Sequence, residues 1–341
     1  VTALGRPVLA NPQTRGFRLS TATGLARLVP EPSQQTPVWC YDDRLPGPEI
    51  RVRQGDRLRV VVENGLEEDT TVHWHGVRTP NAMDGVPHLT QAPIASGEAF
   101  SYEFDAVDAG TFWYHPHLHH KTAEQVYMGA AGMIIVRSEA EAQLDLPRTY
   151  GVDDIPMIIQ DKSFDENNAL IFTAMADTMM VNGTLNPYLE VPAQRVRFRL
   201  LNASNQRVYN VFFPPNTSPR VIGSDGGLLN SPAPMSSVIL TPGERFEIVA
   251  DFTNFQDSTL LIYCDNSDLP VGASGGPGGA SGPPGNGLDS NVFELIELRV
   301  TAPTAHASGP LPDSLNANVL WNEEDAAATR IKVFDTLNAP F

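Results

Sequence analysis

The chain has 341 residues, 41% of them hydrophobic, which is enough for two domains that each bury a core. With 23 basic against 40 acidic residues the net charge is −17, which disfavours nucleic acid and anionic membranes as partners. No apolar run approaches the ~18 residues of a membrane span, and 29 Pro and 27 Gly favour short strands and turns over long helices.

The first residues, Val1-Thr2-Ala3-Leu4-Gly5, carry no signal-peptide h-region and fit either a processed terminus or an artificial start. The two cysteines, Cys40 and Cys264, permit a bridge without requiring one. Pro48-Glu49-Ile50-Arg51-Val52 leads through Gly55-Asp56 into Leu58-Arg59-Val60-Val61-Val62-Glu63-Asn64, alternating apolar and charged residues as half-buried strands do. Further strands are expected after Gly97-Glu98-Ala99-Phe100 and around Thr111-Phe112-Trp113-Tyr114, and a short helix over Lys121 to Met128.

The same order then returns. Pro187-Tyr188-Leu189-Glu190-Val191 leads into Val196-Arg197-Phe198-Arg199-Leu200-Leu201-Asn202. Gly243-Glu244-Arg245-Phe246 repeats the Gly-Glu opening, and Thr259-Leu260-Leu261-Ile262 answers the Thr111 strand. Gly272 to Gly287 reads as a flexible loop, Val292–Val300 as a last strand and 302–315 as a linker. The expected class is all-β: two antiparallel Greek-key sandwiches over 1–148 and 149–303. Residues 304–341 then form a linker whose end, Thr336-Leu337-Asn338-Ala339-Pro340-Phe341, matches Met180-Val181-Asn182-Gly183 as the start of a third repeat.

Six of the eight histidines fall in two clusters, His73-Trp74-His75-Gly76 and Trp113-Tyr114-His115-Pro116-His117-Leu118-His119-His120. On an extended strand, residues i and i+2 face the same way about 7 Å apart, so each His-x-His pair aims two imidazoles at one volume. A single pair is weak evidence of a metal site. Two pairs, each beside Trp or at a strand-disrupting Pro, are hard to explain by chance. Imidazole suits copper, zinc, nickel or iron, so geometry alone does not name the metal.

These motifs, with Met83-Asp84-Gly85-Val86-Pro87 and Gln125-Val126-Tyr127-Met128-Gly129 around them, resemble the first two copper signatures of the multicopper oxidases. The similarity runs from about Asp42 through Phe252 and is nearest the three-domain, laccase-like bacterial branch. The resemblance implies cupredoxin domains and an extracellular or periplasmic location. It implies His73 as a type 2 copper ligand and His75, His115 and His117 as ligands of the type 3 pair. It also implies O2 and a reducing substrate (a phenol, aromatic amine or metal ion) as reactants. Asp84 matches an acidic residue the family uses as a proton relay; its other reading is a turn residue before Gly85. His119 is expected beside the site or in a satisfied loop, His120 at the surface, His88 either packed or facing solvent rather than on a metal, and His306 inert in the linker.

The family's remaining signatures, His-x-x-His-x-His and the His-Cys-His of a type 1 site, do not occur in this sequence. Only His306 lies beyond His120, and neither cysteine has a neighbouring histidine. Aligned nine residues past Asn64 and Asn202, His73-Trp74-His75 meets Val211-Phe212-Phe213. His115-Pro116-His117 meets Tyr263-Cys264-Asp265, so the second repeat reads as a spacer. Three functions follow. The chain is part of an oxidase whose third domain is missing, and is inactive alone; or a non-catalytic copper-binding or structural relative; or a subunit completed by another chain.

Overall fold

A computed structural model describes residues 12–31, 33–276, 288 and 292–318, with 324, 326 and 328 as single positions. In the first half the strands are β1 (Thr14–Ala26), β2 (Thr36–Tyr41), β3 (Ile50–Arg53), β4 (Arg57–Asn64), β5 (His73–His75), β6 (Ala99–Asp105), β7 (Gly110–His115) and β8 (Gly132–Arg137). Helix α1 (Thr122–Tyr127) falls where the sequence indicates one, and a single turn, α2 (Glu139–Ala142), follows β8. The second half contains β9 (Asp154–Lys162), β10 (Thr178–Val181), β11 (Thr184–Leu185), β12 (Tyr188–Pro192), β13 (Arg195–Asn202) and β14 (Tyr209–Phe212). It continues with β15 (Arg220–Ser224), β16 (Gly227–Pro234), β17 (Ser237–Leu240), β18 (Arg245–Asp251), β19 (Thr259–Asp265) and β20 (Val292–Thr301).

These strands build four sheets, two per half. Sheet β2-β1-β4-β6 faces sheet β3-β8-β7-β5 across a core that includes Leu19, Val60, Val62, Trp74, Phe104, Tyr114 and Ile134. Sheet β11-β10-β9-β13-β18-β15-β16 faces sheet β12-β20-β19-β14-β17 across Met157, Phe198, Val211, Ile248, Ile262, Cys264 and Leu298. The period-two alternation therefore becomes inward and outward faces, as in β4, where Leu58, Val60 and Val62 point in. Both halves are β-sandwiches.

Two expectations need correction. The sheets are mixed rather than purely antiparallel: β1 with β4, β3 with β8, β9 with β13 and β12 with β20 all pair in parallel. Parallel pairing asks for cover on both faces, and β8 and β9 are buried along almost their whole length. In β13, moreover, the charged face is not solvated: Arg197 and Arg199 are both 1% exposed.

The cover comes from the other sandwich. The outer face of β7 and β8 packs on the outer face of β9 and β13, with Trp113, Met133 and Ile135 against Ile158, Leu201 and Ala203. Beside this apolar patch lies an ion-pair network. Arg199 meets Asp154 at 2.6 Å and Glu247 at 2.8 Å; Arg197 holds Glu247 and Glu141, and Thr111 Oγ1 donates to Glu247 Oε1 at 2.6 Å. Arg137 adds a second guanidinium to Asp154 at 2.6 Å.

Residues 302–318 contain no strand but are tied down along the second sandwich. Thr304 N donates to Gln194 Oε1, Gly309 N to Asp145 Oδ2, and Leu315 N to Asn230 O, while the Leu315 side chain packs with Leu146, Ile222 and Val249. Cys40 and Cys264 are both free and buried. Most of the expected Gly272–Gly287 loop, and the 336–341 segment compared with Met180–Gly183, lie outside the described residues.

Candidate metal centre

Strand β5 is three residues long and, among the described residues, pairs only with β7, setting His73 opposite His115 and His75 opposite Trp113. Trp74 is fully buried in the sandwich, so its neighbours His73 and His75 must point from the opposite face, towards the second sandwich. His115 closes β7 on that same face, and Pro116 turns the chain so that His117 follows in the loop. His73, His75 and His115 each bring a ring nitrogen within 4.8 Å of the others. His117 stands beside this trio, its ring centroid 5.3 Å from that of His73 and 6.1 Å from that of His115.

The second ring nitrogens decide which lone pairs are free. His73 Nδ1 lies 2.7 Å from the Asp84 carbonyl oxygen and His115 Nδ1 2.7 Å from the Pro116 carbonyl oxygen. A carbonyl only accepts, so both rings carry their proton on Nδ1 and present Nε2. His75 Nδ1 sits 3.3 Å from His115 Nε2, so it is the Nδ1 side of His75 that faces the group. Burial, and for His75 also the Arg245 charge, depresses the basicity of His75, His115 and His117. His75 falls to about 4, His115 goes well below its ordinary value, and His117 is lowered against an opposing pull from Asp84. Neutral imidazoles with converging lone pairs are the donor set a transition-metal ion needs, so the residues present fit copper.

Asp84 follows a single 3-10 turn, Asn81–Met83. Its carbonyl, rather than its carboxylate, holds His73: the carboxylate oxygen is 3.5 Å from His73 Nδ1 and accepts from Thr79 Oγ1 at 3.2 Å. Gly85 makes this approach feasible, since at φ +80° a Cβ there would overlap the Val72 carbonyl. His119 and His120 are exposed and pack ring to ring at 3.8 Å, outside the trio, with His119 near enough to act on His117. His88 and His306 are exposed as well.

The trio opens into a cleft of about 380 Å³ that both sandwiches line, with Trp113, Thr122 and Val126 on one side and Ser204, Asn205, Pro242 and Gly243 on the other. The residues from the second sandwich are those the sequence reasoning missed. One signal was present: where the first repeat has Gly97-Glu98-Ala99, the second has Gly243-Glu244-Arg245.

Strand pairing also shifts the comparison between repeats, by one residue at His73 and by two at His115. Trp74 and Tyr114 pair and face inward, as Val211 and Cys264 do, so His73 and His75 correspond to Asn210 and Phe212, and His115 to Asp265. Phe212 stacks on Tyr263 at 5.2 Å, where His75 stacks on Trp113 at 5.0 Å. The second sandwich thus has no imidazole at any equivalent position.

Two β-sandwiches with a cluster of histidines on the face between them define a candidate histidine metal site. A sequence model of the family described as "Multicopper oxidase" matches residues 25–141. The chain is 33% identical over 273 residues to "Multicopper oxidase mco" of Staphylococcus haemolyticus, covering 74% of this chain and 59% of that protein. It is 38% identical over 226 residues to "Cell division protein FtsP" of Salmonella typhimurium, covering 64% and 48%. The crystal structure of the McoA multicopper oxidase from the hyperthermophile Aquifex aeolicus superposes with a TM-score of 0.78 at 34% identity, over 95% of this chain and 71% of that one. This chain belongs to the multicopper oxidase family, and its sandwiches are cupredoxin domains. It spans about half to three fifths of the length of the curated relatives it matches. Among the described residues no helix is long and apolar enough to cross a membrane.

Proposed function

We propose that this chain supplies one wall of a copper cluster at which a laccase-like oxidase couples one-electron substrate oxidation to the reduction of O2 to water. The observation that carries this reading is the convergence of His73, His75 and His115 within 4.8 Å, with the far nitrogens of His73 and His115 held by backbone carbonyls. In this reading His73 holds the type 2 copper, while His75, His115 and His117 serve the type 3 pair. The remaining ligands and the type 1 site come from residues outside this sequence or from another chain. Copper, when bound, supplies the one-electron acceptors and the centre for oxygen reduction. The chain's own residues orient the imidazoles, disfavour the cations of His75, His115 and His117, and exclude bulk water from the buried side. Asp84, a third exposed and beside His73, is positioned to pass protons to the site. The reducing substrate is a phenol, an aromatic amine or a metal ion, and the location is extracellular or periplasmic. The domains divide as 1–148, 149–303 and 304–341.

Similarity to a protein named for cell division favours a second reading, a copper-binding or structural protein without turnover. Copper counting with electron paramagnetic resonance on the isolated chain tells the oxidase reading from a purely structural one, and O2 consumption once the missing ligands are supplied tells it from copper binding without turnover. The oxidase reading expects weak, partial copper uptake by a colourless protein, abolished in His73→Ala/His115→Ala. No uptake at all, or an intense blue band, would sink it.

A further inference from the structure

Strand β5 carries two of the four histidines, yet it is three residues long and, among the described residues, pairs with β7 alone. So short an edge strand cannot by itself hold His75 in one orientation. The second sandwich reaches it at one turn. A Cβ built on Gly243 would stand 3.0 Å from His75 Cε1 and 3.4 Å from Nε2, so the Gly243 backbone lies directly against that edge of the imidazole. Trp113 covers the ring from another side, with centroids 5.0 Å apart. The remaining nitrogen, Nδ1, faces His115.

The turn itself is held on several sides. Gly243 has φ +81°, which only glycine adopts without strain, and its N–H donates to the Asn202 carbonyl at 2.8 Å. The Glu244 carboxylate accepts from Thr241 N at 2.8 Å and from Thr241 Oγ1 at 2.9 Å. Arg245, 3% exposed, then ties the turn to the first sandwich. Its guanidinium donates to the carbonyls of Gly243 at 3.0 Å, Thr111 at 3.1 Å and Asp225 at 3.2 Å, and pairs with the Asp225 carboxylate at 2.8 Å. Thr111 lies on β7, the strand of Trp113 and His115. Gly76, directly after His75, is bare of a side chain where the guanidinium passes; a Cβ there would overlap Nη2. One buried arginine therefore spans the two strands that carry the histidines, with a planar fork that lysine lacks.

We propose that the Thr241–Arg245 turn of the second cupredoxin domain is a positioning element for the metal site. Gly243 closes the Nε2 edge of His75 and Arg245 locks the turn to β7, so that the Nδ1 side of His75 stays turned towards His115. This rests on the copper-site reading above, and the test separates the two. The chain is loaded anaerobically with Cu(I), a diamagnetic probe. Affinity is read by chelator competition, and the protonated nitrogen of His75 from long-range imidazole ¹H–¹⁵N spectra. Wild type is expected to carry the His75 proton on Nε2. Gly243→Ala should bind Cu(I) about 10- to 100-fold more weakly, the range for losing a group that orients a ligand, with a mixed His75 signal. Arg245→Lys should fall between. Gly16→Ala, on β1, where a Cβ meets nothing within 4 Å, should match wild type. In a His75→Ala background Gly243→Ala should cost nothing further, because its effect runs through that ring.

Wild-type affinity and an unchanged Nε2 proton in a folded Gly243→Ala protein would overturn the proposal, as would an equal loss in the His75→Ala background. If Gly243→Ala does not fold, Arg245→Lys decides by the same two readouts. If wild type takes up no Cu(I), the copper reading fails. The positioning role is then judged by whether the His75 and His115 ring signals shift in the metal-free variants, and unshifted signals overturn it.

Discussion

Glu247 sits between two arginines at the seam of the sandwiches, and replacing it with Gln tests how much that seam contributes. The carboxylate accepts from Thr111 Oγ1, Arg199 Nη1 and Arg197 Nε at 2.6, 2.8 and 3.1 Å. Burial opposes its ionisation, but Arg197 and Arg199 outweigh burial and take its pKa from 4.5 down to about 2. A depression of that size corresponds to about 3 kcal/mol of stability at neutral pH. Removing one partner of a buried pair costs roughly 3–5 kcal/mol. Here each arginine keeps a second carboxylate, Glu141 for Arg197 and Asp154 for Arg199, which points to the lower end. Both routes give about 3 kcal/mol, a large share of the roughly 5–15 kcal/mol that holds a domain folded. The sign follows from the depressed pKa: this stabilisation is whole above pH 4.5 and disappears as pH falls towards 2. Urea titrations of wild type and Glu247→Gln at pH 7 and pH 3 should show a gap near 3 kcal/mol that narrows in acid, other acid-sensitive groups cancelling between the two. A gap under 1 kcal/mol at pH 7, or one that does not narrow, refutes the reasoning.

Three further outcomes are expected. His75 in the metal-free chain should titrate near pH 4 by NMR, since burial and Arg245 disfavour its cation. The unfolded chain binds that proton near pH 6.5, so wild type should lose stability between 6.5 and 4 while His75→Gln loses less. Phe198→Ala should cost about 3–5 kcal/mol in a denaturant titration, because Phe198 is fully buried against Phe213 and Phe252. Gly85→Ala should lower the melting temperature and shift the His73 Nδ1 resonance, as the loop withdraws its carbonyl from that ring; an unshifted resonance would mean Asp84 does not hold His73.

What the sequence made legible was local. Alternation marks β4, β6, β13 and β20, because each needs one apolar face whatever its partner. The His-x-His pairs are legible for the same reason, since parity alone puts both imidazoles on the face opposite Trp74. What stayed hidden depends on distant partners. Arg197 and Arg199 read as a solvated face, yet they are buried because another sheet covers them, and alternation does not say what lies opposite a strand. The repeats align one residue out of register at His73, because inward direction is fixed by pairing rather than by counting from Asn64. Asp84 was singled out for its carboxylate, whereas its backbone carbonyl holds the ring. Gly243 lies far from His75 in the chain, and only the docking of two domains brings them together.

The pairings that create the site are long-range. Strand β3 joins β8 with Ile50 beside Ile134, β5 joins β7 with His73 opposite His115, and Gly243 arrives only with the second domain. Contacts of this span form late, since distant segments must close before any bond rewards them. Copper offered to the unfolded chain would meet only separate His-x-His pairs, each a two-armed grip of a kind any flexible peptide can make. Selectivity is therefore a property of the finished fold, and the order of events, domain closure before metal uptake, is written into the connectivity of the strands.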